Sequence, residues 1–197
     1  MHATALSTPI TAPARPSGRI DNRSAYIGFA FAYLFGHGAA ALAKGADPLL
    51  ALPGWLPTAL LAIGLAVGTV RTMIAAGRAQ RGASKPERLG ANLLGLSWIV
   101  GFTALFAMIT GLSAAVDAPA LQGMLWPTGA TLVVGLIYLA EGAARRNTLH
   151  YGLGSCLALI GGAAIFFGTP GLYWVLAIAG GTAYAVAAVL EGRRLGR

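Results

Sequence analysis

Arg78-Ala79-Gln80-Arg81-Gly82-Ala83-Ser84-Lys85-Pro86-Glu87-Arg88 is a short, strongly basic connection between two long apolar runs, 55–77 and 90–114. Crossing a bilayer takes about 20 predominantly apolar residues, and both runs are long enough. Outward from this connection the same alternation repeats. Arg15, Arg19 and Arg23 precede the apolar run 24–44, Arg145 and Arg146 separate runs 126–144 and 150–168, and Arg193, Arg194 and Arg197 follow run 171–191. The other connections hold no Lys or Arg except Lys44, at the edge of the first. Loops that stay in the cytoplasm carry the excess of Lys and Arg. The pattern therefore predicts an all-α, polytopic membrane protein: a compact bundle of six transmembrane helices with both termini inside (N-in/C-in), in a bacterial cytoplasmic membrane.

Composition agrees with this reading. Of 197 residues, 56% are apolar and 10% charged, against about 25% charged in soluble domains. The net charge of +8 does not imply nucleic acid, because a nucleic-acid binder gathers its basic residues on one face. Here they punctuate apolar runs, so the expected partner is the lipid bilayer. Residues 1–23 are rich in Ala, Pro, Thr and Ser and are expected to form a disordered tail. Residues 24–192 form the membrane domain and 193–197 a basic tail. Cys156 stands alone within an apolar run, where a thiol acts as a small packing residue.

Without a strong hydrophobic drive between helices in lipid, small residues must let backbones approach. Gly28, Ala32, Gly36 and Ala40 supply such a stripe in the first span, and Gly64 and Gly68 in the second. Gly154, Ala158 and Gly162 repeat it in the fifth, and Ala177, Gly181 and Ala185 in the sixth. Gly168-Thr169-Pro170-Gly171 is so tight a turn that the last two spans must form an antiparallel hairpin.

Polar groups inside spans are the functional candidates, because burying them in lipid is expensive. Tyr26, Tyr33, His37 and Lys44 fall on nearly one line of the first helix at 100° per residue, away from its small-residue stripe. Tyr26, Tyr33 and His37 are therefore expected to line a pathway or touch a substrate. Arg71 and Glu141 each lie fourteen residues beyond a proline, Pro57 and Pro127, so similar depth suggests an intramembrane ion pair. A competing partner for Glu141 is Arg145, one turn later. Asn92, Ser97, Thr103, Thr110, Thr131 and Tyr138 add scattered hydrogen-bonding groups. The basic connection, Arg78, Arg81, Lys85 and Arg88, would dock a cytoplasmic partner.

Enzymatic signatures are absent. The three histidines are widely separated, and there is no HExxH, P-loop or nucleophile elbow. No catalytic residue, metal or cofactor is expected. The stretch Tyr173-Trp174-Val175-Leu176-Ala177-Ile178-Ala179-Gly180-Gly181-Thr182-Ala183-Tyr184 resembles the last span of the acetate/succinate transporter family in its Trp, its Gly-Ala richness and its Tyr. The layout of six spans in 20.0 kDa also resembles the urea and amide channels, and small membrane subunits of ABC-type permeases. The Asn-Pro-Ala-Pro-type signature that opens the first span of the acetate family is replaced by Asp21-Asn22-Arg23-Ser24-Ala25, and no family residue carries over. The resemblance implies an integral membrane transport protein, a permease or membrane subunit that moves or binds a small solute. Its partners would be a second copy or a separate ATPase. The alternative is a non-catalytic anchor or regulatory subunit of a larger complex.

Overall fold

An apolar chain in lipid has no water to satisfy its backbone, so each crossing segment closes its own hydrogen bonds as a helix. The computed structural model describes residues 20–196, which are mostly helical and include no strand. Of the tail expected to be disordered, 1–23, residues 1–19 lie outside the described residues; the last four are ordered instead, with Ile20 buried, Asn22 bonded to Glu191 and Arg23 opening the first helix.

Helix α1 runs Arg23–Ala43 and contains a π-helical turn at Ala32–His37. It is followed by α2 (Leu56–Gln80), α3 (Lys85–Ala115), α4 (Gln122–Ala144) and α5 (Thr148–Ala164). The last helix, α6, is built from Gly168–Val175, a π-helical Leu176–Gly180 and Gly181–Leu195. Arg193 and Arg194, read from sequence as part of a tail, continue this helix. A capping box starts α3: Glu87 accepts hydrogen bonds from both the backbone N–H and the hydroxyl of Ser84, satisfying donors that a helix start leaves free.

Five helical stretches are long and apolar enough to cross a membrane. The fifth, Thr148–Leu195, has 48 residues and holds both α5 and α6. Gly168 (φ 57°) and Thr169 (φ −95°, ψ 130°) leave the helical region between them, a backbone path that glycine takes without steric penalty. The chain reverses there, since His150 and Arg194, near opposite ends of the stretch, line one cavity. The basic ends of all six helices thus gather at one end of the bundle, called the basic end below. Lys44 lies at the far end.

Two seams of small residues hold the bundle. On the first, α1 meets α2: a methyl added at Gly28 would lie 2.7 Å from the Gly68 nitrogen, and one at Gly36 would lie 2.7 Å from the Leu61 Cα. On the second, α4 meets α5, where Gly135, Gly142, Gly154 and Gly161 each press on the backbone of the facing helix. The fifth-span stripe shifts by one position from its sequence reading: Gly161 faces α4, whereas Gly162 has open space. Four-residue spacing drifts off a helix face whose true repeat is 3.6, and the i, i+7 pair Gly154 and Gly161 follows the seam better. Cys156, read as a packing residue, is exposed.

The centre is formed by α1, α4, α5 and α6, with α2 packed chiefly on α1 and α3 on α4. Because the neighbours at the α4–α5 seam are backbone atoms, no rotamer change relieves an added methyl. Gly135→Ala should lower stability by about 1–3 kcal/mol, whereas Gly162→Ala, in open space, should be neutral or mildly stabilising. Denaturation of both variants by SDS in mixed micelles checks this contrast.

Candidate functional site: a polar cavity above a buried aromatic core

The face of α1 opposite its glycine stripe turns inward. Tyr26 (1% exposed), Tyr33 (6%) and His37 (5%) are all buried, as the common line in the sequence implies. They stand in a column of rings. Tyr33 packs edge-on against His37 (4.9 Å between centroids), and His37 lies 6.2 Å from Tyr173. At the far end the Lys44 ammonium sits 5.5 Å above the Tyr173 ring, a cation–π geometry. Towards the basic end Tyr33 meets Tyr184 (5.2 Å), and Tyr138 packs on His150 (4.2 Å).

The hydroxyls of Tyr33 and Tyr173 find partners on α4. The Tyr33 hydroxyl lies 2.8 Å from Thr131 Oγ1, which donates its own proton to the Pro127 carbonyl at 2.8 Å. Tyr33 is therefore the donor of that pair. Tyr138 and Tyr184 meet edge-on, with ring centroids 6.4 Å apart. Tyr173 donates to the carbonyl of Gly123 at 2.8 Å. That carbonyl needs a partner because Pro127, four residues later, has no N–H to offer it.

A cavity of about 910 Å³ opens at the basic end. The wall from α2 and α3 is mostly small and apolar, with Ala76, Ala79, Gly90 and Ala91. The opposite wall is polar, with Glu141, Arg145, Arg146, Asn147, His150 and Arg194. Glu141, one helical turn below Tyr138 on α4, pairs with Arg145 (Nε–Oε1 2.9 Å) and faces His150 (Nε2–Oε2 3.5 Å). His150 is 5% exposed, and its other ring nitrogen, Nδ1, lies 2.6 Å from the Tyr26 hydroxyl. The first turn of α5 sets this position, because Asn147 caps that helix by accepting the backbone N–H of His150. A carboxylate, an imidazole and a phenol from α4, α5 and α1 thus form one chain from the cavity wall into the core.

A second acidic group is saturated instead. Glu191 is fully buried, takes two hydrogen bonds from Arg194 (2.7 and 2.8 Å) and one from the backbone N–H of Asn22 (3.1 Å). Arg194 also donates to the Ile20 carbonyl at 3.0 Å. This group ties the end of α6 to the start of α1.

The structure does not bring Arg71 and Glu141 together. Arg71 is exposed on α2 and forms no ion pair among the described residues. The two share a depth, but α2 packs on α1 while α4 packs on α5 and α3, and Glu141 takes the competing partner Arg145. Arg78, Arg81, Lys85 and Arg88 are all exposed around the α2–α3 turn, with Arg88 bonded back to the Ala83 carbonyl. His150 was not singled out from sequence, where it was weighed only as a metal ligand. Its signal was local: it follows the helix-capping Asn147, and Tyr138, Glu141 and Arg145 recur at helical spacing just before it. Among the described residues, no three His, Cys, Asp or Glu side chains gather to hold a metal ion. In comparisons with known proteins, no family model, no curated protein and no solved structure matches this chain.

Two measurements probe this end-to-end arrangement. Tyr173→Phe leaves the Gly123 carbonyl unpaired and should cost about 1–3 kcal/mol. In a Pro127→Ala background the new N–H can take that carbonyl, so the same substitution should cost far less; a double-mutant cycle of unfolding free energies checks it. Arg146 closes α4 in a left-handed conformation (φ 52°), with Asn147 N–H bonded to Gly142 O and Arg146 N–H to Ala143 O. Glycine is the usual residue at that position. Arg146→Gly should therefore raise stability by about 1 kcal/mol, measured in the same assay, while removing a guanidinium from the cavity wall.

Proposed function

We propose that this chain is an integral membrane transport protein that crosses a bacterial cytoplasmic membrane six times and takes a small solute into its basic-end cavity. The observation that carries the reading is the cavity itself, floored by the Glu141–His150–Tyr26 chain. Buried ionisable groups are costly in a membrane bundle and mark substrate or ion paths. An anchor needs only an apolar exterior, whereas this protein has a polar recess leading to the middle of its helices. The volume of about 910 Å³ is within the range of small-molecule sites.

Orientation follows the basic residues. Gathered at one end, they favour the cytoplasmic side for that end and for both termini, so the cavity faces the cytoplasm. The aromatic column, from His150 through Tyr184 and Tyr33 to Tyr173, closes the path beyond it. The reversal at Gly168 divides the longest helical stretch into two crossings, which makes six. The exposed Arg78, Arg81, Lys85 and Arg88 stand beside the cavity mouth, where a cytoplasmic partner would dock.

Reconstituted protein should pass a member of a panel of small acids, amides and ions into liposomes without ATP, at least about tenfold faster than protein-free liposomes. Glu141→Gln and Arg146→Gly should slow that flux. Failure across the whole panel would overturn the stand-alone transporter.

A further inference from the structure

Three buried side-chain polar atoms lack a hydrogen bond among the described residues, and two of them, Arg145 Nε and His150 Nε2, flank Glu141. Arg145 Nε is close to Glu141 Oε1 at 2.9 Å but off the hydrogen-bond direction. His150 Nε2 stands 3.5 Å from Oε2, beyond a good hydrogen bond. The imidazole is buried on the core side, yet it lines the cavity. The open Nε2 sets it apart from the Glu191–Arg194 clamp, where the carboxylate takes three hydrogen bonds.

We propose that Glu141, His150 and Tyr26 form a site that binds and releases one proton from the cavity, so that a proton is the second ligand of the solute carrier proposed above. The hydrogen-bond pattern changes with occupancy. With the imidazole neutral, the Tyr26 hydroxyl donates to Nδ1, and the ring proton sits on Nε2, facing the Glu141 carboxylate. An added proton enters at Nδ1, both ring nitrogens become donors, and the hydrogen bond that Nδ1 accepted from the Tyr26 hydroxyl is given up. Nε2–H then draws towards an oppositely charged carboxylate, and Nδ1–H donates to the Tyr26 oxygen. The Tyr26 hydroxyl proton must turn away from the ring. One proton thereby reverses the link between α1 and α5.

The groups facing His150 suit this role. From α1 come Tyr26 and Asn22, and from α4 come Tyr138, Glu141 and Arg145. From α6 come Tyr184 and the Glu191–Arg194 pair, whose charges offset each other. Across the cavity Glu87 is engaged at Ser84. Glu141 is the charge nearest the ring, with its Oε2 3.5 Å from Nε2.

The test uses the full-length protein in lipid nanodiscs with ¹⁵N-labelled histidine, signals being assigned by His37→Asn and His150→Asn. On lowering the pH, His150 should pass from one ring proton to two. Glu141→Gln should require at least a tenfold higher proton concentration for the same change. Tyr26→Phe should remove the hydrogen-bond signature at Nδ1 without preventing uptake. A wild-type His150 that keeps one form throughout, or a Glu141→Gln protein that titrates like wild type, overturns the proposal. If Glu141→Gln does not fold, the wild-type spectrum decides alone. The proposal uses the transport reading only for the purpose of the proton, and the two fail separately. A titrating His150 in protein that carries no solute defeats transport, and solute flux past a His150 that never titrates defeats the proton site.

Discussion

Backbone contact across glycine is the constraint on which the rest of this bundle depends. In lipid, two apolar helix faces gain little by leaving the solvent for each other, so association rests on close packing and interhelical hydrogen bonds. Gly28 and Gly36 against Gly68 and Leu61 bring α1 and α2 together, and Gly135 and Gly142 against Gly154 and Gly161 do so for α4 and α5. Each seam also fixes the rotation of its helices. With the stripe of α1 held against α2, Tyr26, Tyr33 and His37 have only the interior to face. A rotation of one residue, about 100°, would turn them towards α2 or lipid. The polar interior is thus a consequence of where the small residues are.

Once the rings face inward, each polar atom they bring needs a partner that lipid does not supply. The solutions are particular. Pro127 leaves the Gly123 carbonyl open, and Tyr173 on α6 closes it. Thr131 bonds its own helix and so leaves only an acceptor site for Tyr33. Two π-helical turns, Ala32–His37 and Leu176–Gly180, meet in the middle of the bundle, where Gly180 gives room to the Tyr33 ring. Such turns shift the phase of a helix and recur at functional sites. Here they adjust α1 and α6 so that rings from both enter the same column.

Much of this was legible in the sequence for a simple reason: runs of apolar residues and glycine spacing depend on one helix at a time. The inward line of Tyr26, Tyr33 and His37 needed only the 3.6-residue repeat, and the α5–α6 reversal needed only Gly168 and Pro170. What needed knowledge of neighbours was not legible. Depth along the membrane suggested Arg71 with Glu141, but depth does not say which helices touch. His150 looked like an ordinary first-turn residue until α1 and α4 brought Tyr26 and Glu141 to its two nitrogens. The one-position shift from Gly162 to Gly161 has the same origin, because the partner helix chooses which part of a broad small-residue face becomes the seam.

The two acidic clusters at the basic end show how a structural charge differs from a working one in the same environment. Glu191 is completely buried, and three hydrogen bonds together with the Arg194 charge satisfy it. That cluster locks α6 to α1. Glu141 is partly open, has its Arg145 partner at a poor angle, and faces an imidazole across a gap. A proton added to that imidazole turns Nδ1 from acceptor to donor towards Tyr26 and leaves Nε2–H aimed at the Glu141 carboxylate, so the ring keeps both of its neighbours. Burial alone therefore does not mark the functional group. Incomplete satisfaction beside a cavity does, and in this bundle it falls on His150 and Arg145, on either side of Glu141.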